Sequence, residues 1–127
     1  MYLHKALESL AGAEGEFAYA RYNNCANRCY YACFQAAVAA LIRDDIRPPG
    51  SSSEWSHDFV LAQVDGILIY RRKRFPAALR GTLHHNLSLR LKADYKEDDV
   101  SRTEAERAVR RCRIFVEAVQ AAVGGTR

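Results

Sequence analysis

Three of the four cysteines in the chain, Cys25, Cys29 and Cys33, follow one another at four-residue intervals. Thiolates bind zinc and carry out redox reactions, so a zinc site and a redox site are both hypotheses for these residues. A zinc site needs four ligands, and thiols lined along one helix would close poorly around one ion. Thiols on successive helical turns also diverge too far for a disulfide. Because free cysteine behaves as a small buried hydrophobe, we interpret the three as core residues and predict no metal and no cofactor.

The segment that carries these cysteines is apolar on nearly every side. Plotted at about 100° per residue, residues 22–43 place cysteine and alanine on one face and Tyr30, Phe34 and Val38 on the opposite face. Only Arg28 and Gln35 form a narrow polar strip. A helix of this kind is predicted to lie at the centre of a bundle, where its small side chains let a neighbouring helix approach closely.

Local signals predict the other helices around this central one. We expect helices at about 3–19, from Glu54 to about Arg72, from Pro76 to about 93, and from the capping box of Ser101 and Glu104 to about 122. Ser52 or Ser53 would cap the third helix, and Gly124 and Gly125 would end the last one. In the third helix the residues at helical spacing are Trp55, Phe59, Val60, Gln63, Ile67 and Tyr70.

The predicted fold is all-α, a four- to five-helix up-and-down bundle, because no alternating run is long enough to indicate a strand. We expect one domain over residues 1–127, with its core at about 3–122, a flexible loop at 44–54 and a tail at 123–127. The chain carries a net charge of +4 and a pI near 9.0, which permits a phosphate-bearing partner without requiring one. It shows no membrane span and no secretory signal, so a cytoplasmic location is expected.

Three stretches together resemble the HEPN domain family: "NRCYYACFQAAVAALI", "WSHDFV" and "LSLRLKADYKEDDVSRTEAERAVRRCRIFVEAV". The resemblance implies a helical bundle that pairs as a homodimer. It also implies one of three roles: an RNA-cleaving toxin, a partner of a small nucleotidyltransferase encoded nearby, or a nucleotide-binding module. In the nuclease members an arginine precedes a histidine by four to six residues, and two such motifs meet across the dimer cleft. There the arginine holds phosphate and the histidine assists attack by the 2′-hydroxyl.

The position of that arginine is taken by Arg90, but Asp94 and Tyr95 stand where the histidine would be expected. No histidine follows Arg90 in the chain. Tyrosine has a pKa of about 10 and shuttles protons poorly at neutral pH, whereas histidine titrates in that range. Asp94 could serve as a base, but its charge would repel phosphate. The resemblance therefore implies a structural or binding element, with Arg90 holding a phosphate and Asp94 and Tyr95 shaping the site.

A second arginine–histidine pair, Arg80 and His85, has the same spacing about ten residues earlier. Arg80 and His84 would share a face of one continuous helix, with His85 displaced around it. Short motifs of this kind arise often by chance, and exposed basic residues on a helix explain them equally well.

Several other cations are candidate phosphate ligands. Arg71, Arg72, Lys73 and Arg74 form a run at a helix end, where they either interact with the helix C-terminus or contact phosphate. The flanking Tyr70 and Phe75 could stack on a base. Arg110, Arg111 and Arg113 on the last helix are equally open to both interpretations.

Two further residues are pocket candidates. Arg28 lies on the central helix and should pair with an acid such as Glu14 or Glu16, or else reach a dimer cleft toward a phosphate. His57 matches a family position, although a partly buried structural histidine is the simpler interpretation.

The leading functional hypothesis is a module without strong catalysis that binds RNA or a nucleotide, or partners a nucleotidyltransferase in a toxin–antitoxin-like pair. One alternative is a metal-independent endoribonuclease that uses Arg90, or Arg80 with His85, at a dimer cleft. The other alternative is a structural helical dimer with no ligand.

Overall fold

A computed structural model describes residues 1–50 and 54–124 of the chain. Within those ranges it contains helices and no strand, which confirms the all-α prediction. The α-helices are α1 (Tyr2–Ala18), α2 (Tyr22–Arg43), α3 (His57–Gln63), α4 (Thr82–Tyr95) and α5 (Arg102–Gly124). A π-helical segment, Val64–Arg71, continues α3, and a short 3₁₀ turn, Ala77–Leu79, precedes α4.

Helix α2 lies at the centre and packs against α1, α3, α4 and α5. Its cysteine-bearing face is fully buried, and so are Tyr30, Val38 and Leu41 on the other side. All four cysteines of the chain are buried and free, with Cys112 of α5 among the thiols of α2. The placement of the cysteines in the core is thereby confirmed. Since cysteine and alanine are small, α1 and α5 can lie close to the α2 backbone.

The direction of each helix follows from its contacts with α2. Because only three residues join α1 to α2, these two helices run antiparallel. Helix α3 starts beside Tyr30, where His57 contacts it, and Arg72 beyond the π-helical segment reaches Asp44 at the end of α2. Helix α3 and the π-helical segment therefore run parallel to α2.

The third helix differs from the sequence prediction at both ends. It begins at His57 instead of Glu54, with the Ser56 hydroxyl accepting a hydrogen bond of 3.1 Å from the Phe59 amide. The proposed caps Ser52 and Ser53 lie outside the described residues. From Val64 onward the helix widens, and the Arg72 amide donates to the carbonyl of Ile67, five residues earlier.

This widening shifts the buried face of the third helix. Tyr70 is 67% exposed, and the core side chains are Val60, Leu61, Val64, Leu68 and Ile69. The predicted stripe through Ile67 and Tyr70 assumed a regular 3.6-residue turn and is wrong beyond Gln63 for that reason.

Helix α4 is shorter than predicted because the chain breaks before it. Pro76 opens only the 3₁₀ turn, Arg80 is extended, and Gly81 has a left-handed φ of +83° that favours glycine. Arg80 therefore lies outside α4, and it does not share a helical face with His84. At its other end α4 continues to Tyr95, two residues beyond the predicted limit.

The capping box at the start of α5 is confirmed. The Ser101 hydroxyl accepts a hydrogen bond of 3.1 Å from the Glu104 amide, and a Glu104 carboxylate oxygen accepts one of 2.9 Å from the Ser101 amide. The helix runs through Gly124, about two residues beyond the predicted end, and Gly125 lies outside the described residues.

Ala20 offers a test of the helix boundary between α1 and α2. Its φ of +60° lies in the left-handed region, where a side chain on an L-residue is disfavoured by about 1–2 kcal/mol. We expect Ala20→Gly to raise the free energy of unfolding by about 0.5–1 kcal/mol, after allowing for the larger unfolded-state entropy of glycine. Urea denaturation measures it. The exposed mid-helix control Ala11→Gly should lower stability by about 1 kcal/mol, and stabilisation by both substitutions would contradict the assignment.

Candidate functional site

The three stretches that carry the family resemblance meet around Arg90. Its guanidinium carbon lies 5.6 Å from the ring centre of Tyr30 and 5.2 Å from that of Tyr31, both on α2. His57 at the start of α3 lies on another side of Tyr30. Segments from three different parts of the chain thus form one cluster, the Arg90 cluster, made of Asn27, Tyr30, Tyr31, Phe34, His57, Arg90 and Asp94.

Arg90 itself is incompletely paired. Its Nε lies 3.5 Å from an Asp94 carboxylate oxygen, one turn later on α4, but the alignment does not make a hydrogen bond. Among the described residues Nε is a buried donor with no acceptor, whereas buried polar atoms in proteins are nearly always bonded. The Arg90 side chain as a whole is 18% exposed.

Asp94 is held by α2 as well as by its ion pair. The Asn27 side-chain amide donates to Asp94 with a distance of 3.1 Å, so the carboxylate is shared between α2 and α4. Tyr95, the last residue of α4, is 72% exposed. Asp94 therefore belongs to the Arg90 cluster, while Tyr95 presents its ring to solvent.

His57 packs against two aromatic rings of α2. It stacks on Tyr30 with ring centres 5.3 Å apart and on Phe34 at 4.8 Å. Its Nδ1 shares a short hydrogen bond with the Tyr30 hydroxyl. Burial raises the pKa of Tyr30 although the Arg90 charge opposes this, so the phenol stays protonated at neutral pH. His57 and Arg90 therefore act on the same buried tyrosine from two sides.

Arg80 and His85 are not brought together in one depression. Arg80 lines a depression of about 500 Å³ together with Tyr70 and Lys73. His85 lines another, of about 340 Å³, between α4 and α5. The break at Gly81 separates the two residues, since Arg80 leaves the 3₁₀ turn before α4 begins.

Half of the basic run is already paired within the fold. Arg72 and Arg74 contact one carboxylate oxygen of Asp44 at 3.0 and 2.9 Å, and Arg72 also donates to the Asp44 carbonyl at 2.9 Å. These contacts join the end of α2 to the chain beyond the π-helical segment. Arg71 is exposed, and Lys73 lies 5.9 Å from the Tyr70 ring centre.

Phe75, expected as a possible stacking surface for a base, is only 7% exposed and contacts Phe115 in the core. Tyr70 alone of the two flanking aromatic residues presents its ring to solvent, at 67% exposure. Burial of Phe75 follows from its position just after the π-helical segment, where the chain turns back onto α5.

Arg28 does not pair with either of the acids expected for it. Glu14 binds Arg113 of α5 at 2.7 Å, and Glu16 binds Arg21 at 2.7 Å. Arg28 is exposed, and its side chain passes over α1 where Gly12 leaves room, 3.9 Å from a Cβ built there. The prediction of a neighbouring acid failed because Arg28 reaches solvent and therefore needs no partner.

Sequence reasoning missed the roles of Asn27 and Tyr31. Both lie within one turn of Tyr30, at spacings that place them on the side of α2 that faces α4. The signal was available in the stretch "NRCYY", because positions three and four apart on a helix are neighbours. The spacing alone does not say which helix Asn27 and Tyr31 contact, and the structure shows that it is α4.

A family model for the HEPN domain matches residues 1–122, and the chain belongs to the HEPN domain family. Membership supports a nucleotide- or RNA-related module. A search of curated proteins finds no match to the chain. No helix in the described residues is long and apolar enough to cross a membrane.

The Asp44 pairings predict a pH-dependent contribution to stability. Burial alone would raise the pKa of Asp44, but hydrogen bonds from Arg74 and Arg72 outweigh it and lower the pKa. The contribution is therefore complete above the unfolded pKa of about 4 and is lost as the pH falls through the lower folded value. We expect Asp44→Asn to lower the free energy of unfolding by about 1–2 kcal/mol at pH 7, the partners being partly exposed.

Urea denaturation at pH 7 and at about pH 3 measures this effect, and the difference between the two proteins should narrow at the lower pH. Asp45→Asn is the matched control, because Asp45 is exposed and its φ of +64° suits asparagine equally well. A gap between wild type and Asp44→Asn that stays constant with pH would contradict the role of the carboxylate charge.

Proposed function

We propose that the chain is a nucleotide- or RNA-binding module in which Arg90 contacts a phosphate group. The observation that carries the proposal is the buried Nε of Arg90, which has no acceptor among the described residues. A guanidinium presents several donors in one plane and matches phosphate oxygens in a bidentate arrangement. The Arg90 side chain is 18% exposed, so a phosphate would contact its accessible part, on an arginine whose Nε makes no hydrogen bond within the described residues.

The surroundings of Arg90 suit a ligand of this kind. The Tyr30 and Tyr31 rings fix the guanidinium through cation–π contacts. Tyr31 is partly exposed and offers a ring to a base, whereas Tyr30 is fully buried and serves only as support. Because Asn27 holds Asp94 toward α2, the carboxylate is restrained from taking both donors of Arg90.

Binding without strong catalysis is favoured over RNA cleavage by the groups around Arg90. General acid–base catalysis needs a group that changes protonation near neutral pH and reaches the reacting oxygen. The nearest histidine, His57, stacks on Tyr30 and Phe34 and shares a hydrogen bond with the Tyr30 hydroxyl. The endoribonuclease alternative, with Arg90 or with Arg80 and His85, is tested by the same experiment.

Homodimer formation, a nucleotidyltransferase partner and a toxin–antitoxin-like setting are further proposals, which rest on the family. Sedimentation of the purified chain distinguishes a 14.3 kDa monomer from a species of twice that mass. Co-expression with a small nucleotidyltransferase from a neighbouring reading frame, where there is one, tests the partner.

Substitution of Arg90 tests the binding proposal. Fluorescence anisotropy with a labelled single-stranded oligoribonucleotide, and retention of AMP and ATP, are measured over a series of salt concentrations. We expect Arg90→Ala to weaken RNA binding about tenfold and to reduce the salt slope by about 0.7, the value for one phosphate contact on a single strand. Arg90→Lys should restore part of the slope, because it keeps the charge without the planar fork.

Arg110→Ala is the matched control, since Arg110 is an exposed arginine on a different helix. Urea denaturation of each variant separates a loss of binding from a loss of folding. An unchanged affinity and salt slope in Arg90→Ala would refute the proposal. Shortening of the RNA by the wild type but not by Arg90→Ala or by His85→Ala would instead identify a nuclease.

A further inference from the structure

A second group of cations lies on α4 and α5, outside the Arg90 cluster. A groove of about 340 Å³ between these helices is lined by His85 and Lys92 of α4 and by Arg107 and Arg111 of α5. Lys92 is about 160° around α4 from Arg90 at ~100° per residue, so the groove opens on the other side of that helix. The groove therefore forms a separate surface, named here the α4–α5 groove.

Arg111 is fixed in this groove from the core side. Its Nε and Nη2 donate to the Asn86 side-chain carbonyl at 3.2 and 3.0 Å. Asn86 is fully buried and its amide donates to the Cys33 sulfur at 3.3 Å, so the acceptor cannot easily move. An arginine held by a rigid partner loses little conformational entropy when a ligand binds it.

The positive charge of the groove is only partly compensated. Glu104 is the lone carboxylate among the described lining residues, and it accepts hydrogen bonds from Lys92 at 2.9 Å and from the Ser101 amide at 2.9 Å. Arg107 and Arg111, one turn apart, have no carboxylate partner in the described part of the chain. Burial lowers the pKa of Arg111, and the charge of Arg107 acts in the same direction. A bound anion would relieve this repulsion.

We propose that the α4–α5 groove binds a phosphate oxyanion, with Arg107 and Arg111 as its principal donors and Lys92 and His85 at its edges. A phosphate carries more charge than a carboxylate and offers oxygens in several directions, which suits donors that approach from two helices. The ligand is either a free or terminal phosphate or an internal phosphodiester of RNA, which share this chemistry. The inference is independent of Arg90, because the two surfaces lie on different sides of α4.

Nuclear magnetic resonance with ¹⁵N-labelled protein tests the groove directly. One arm titrates inorganic phosphate and the other an unlabelled single-stranded oligoribonucleotide without terminal phosphates, both at constant ionic strength set by chloride. The titrations are made in the wild type and in Arg90→Ala, so that binding at Arg90 does not contribute in the second. We expect saturable shifts at the amides of His85 and Arg107 and at the Arg111 Nε.

Arg107→Gln should weaken this binding about tenfold, as expected for one charge-assisted hydrogen bond, and its exposed side chain makes folding insensitive to the change. Arg110→Gln is the matched control, because it removes one charge from the same helix outside the groove. It should leave binding unchanged. A response to inorganic phosphate identifies a free or terminal phosphate, and one to the oligoribonucleotide alone identifies phosphodiesters; either supports the proposal. No saturable shift with either probe, or equal weakening by both substitutions, overturns it.

The result also separates this site from the one at Arg90. If the resonances of the α4–α5 groove still shift in Arg90→Ala, the groove proposal is supported. This holds even where substitution of Arg90 leaves RNA binding unchanged. If RNA binding depends on Arg90 but no groove resonance shifts, the groove proposal is refuted and the Arg90 proposal stands.

Discussion

The enclosure of α2 by four neighbouring helices is the constraint on which the rest of the structure depends. Its cysteines and alanines are fully buried on one side, and Tyr30 is fully buried on another. Small side chains allow close helix approach there, which excludes water from that face of α2. Any polar atom that enters this core must be satisfied, as Asn86 is between Cys33 and Arg111. The Nε of Arg90 is an exception, because it has no hydrogen-bond acceptor among the described residues.

Helix α4 contributes side chains to two surfaces, one beside α2 and one beside α5. On one side Arg90 and Asp94 contact α2, and on the other Lys92 contacts Glu104 of α5. The left-handed turn at Gly81 sets where α4 starts, so it also fixes which residues lie on each side. A regular helix from Pro76 would have carried Arg80 and His84 on a shared face. The break therefore places Arg80 before α4 and apart from the helical face that carries His84.

Features fixed by neighbours in sequence were predictable, and features fixed by distant contacts were not. The capping box at Ser101 and the burial of the α2 cysteines follow from local spacing and composition. Two other features depend on how α3 packs along α2, which no local sequence pattern encodes. They are the π-helical turn before Arg72 and the ion pair of Arg72 with Asp44. For the Arg90 cluster, the sequence supplied its motifs but not their convergence on one tyrosine.

The geometry of Asp94 distinguishes a ligand-ready arginine from a structural ion pair. A carboxylate that bonded Arg90 in a bidentate fork would satisfy its donors, and a phosphate would then have to displace a strong contact. Here the 3.5 Å approach is not a hydrogen bond, and Asn27 shares the same carboxylate oxygen. If Arg90 binds a phosphate as proposed, the ligand would compete with a weak contact and not with a bidentate ion pair. The Asp94 charge would repel any anion at this position, so on the proposal a phosphate needs the directional, bidentate hydrogen bonds of the guanidinium to offset that repulsion.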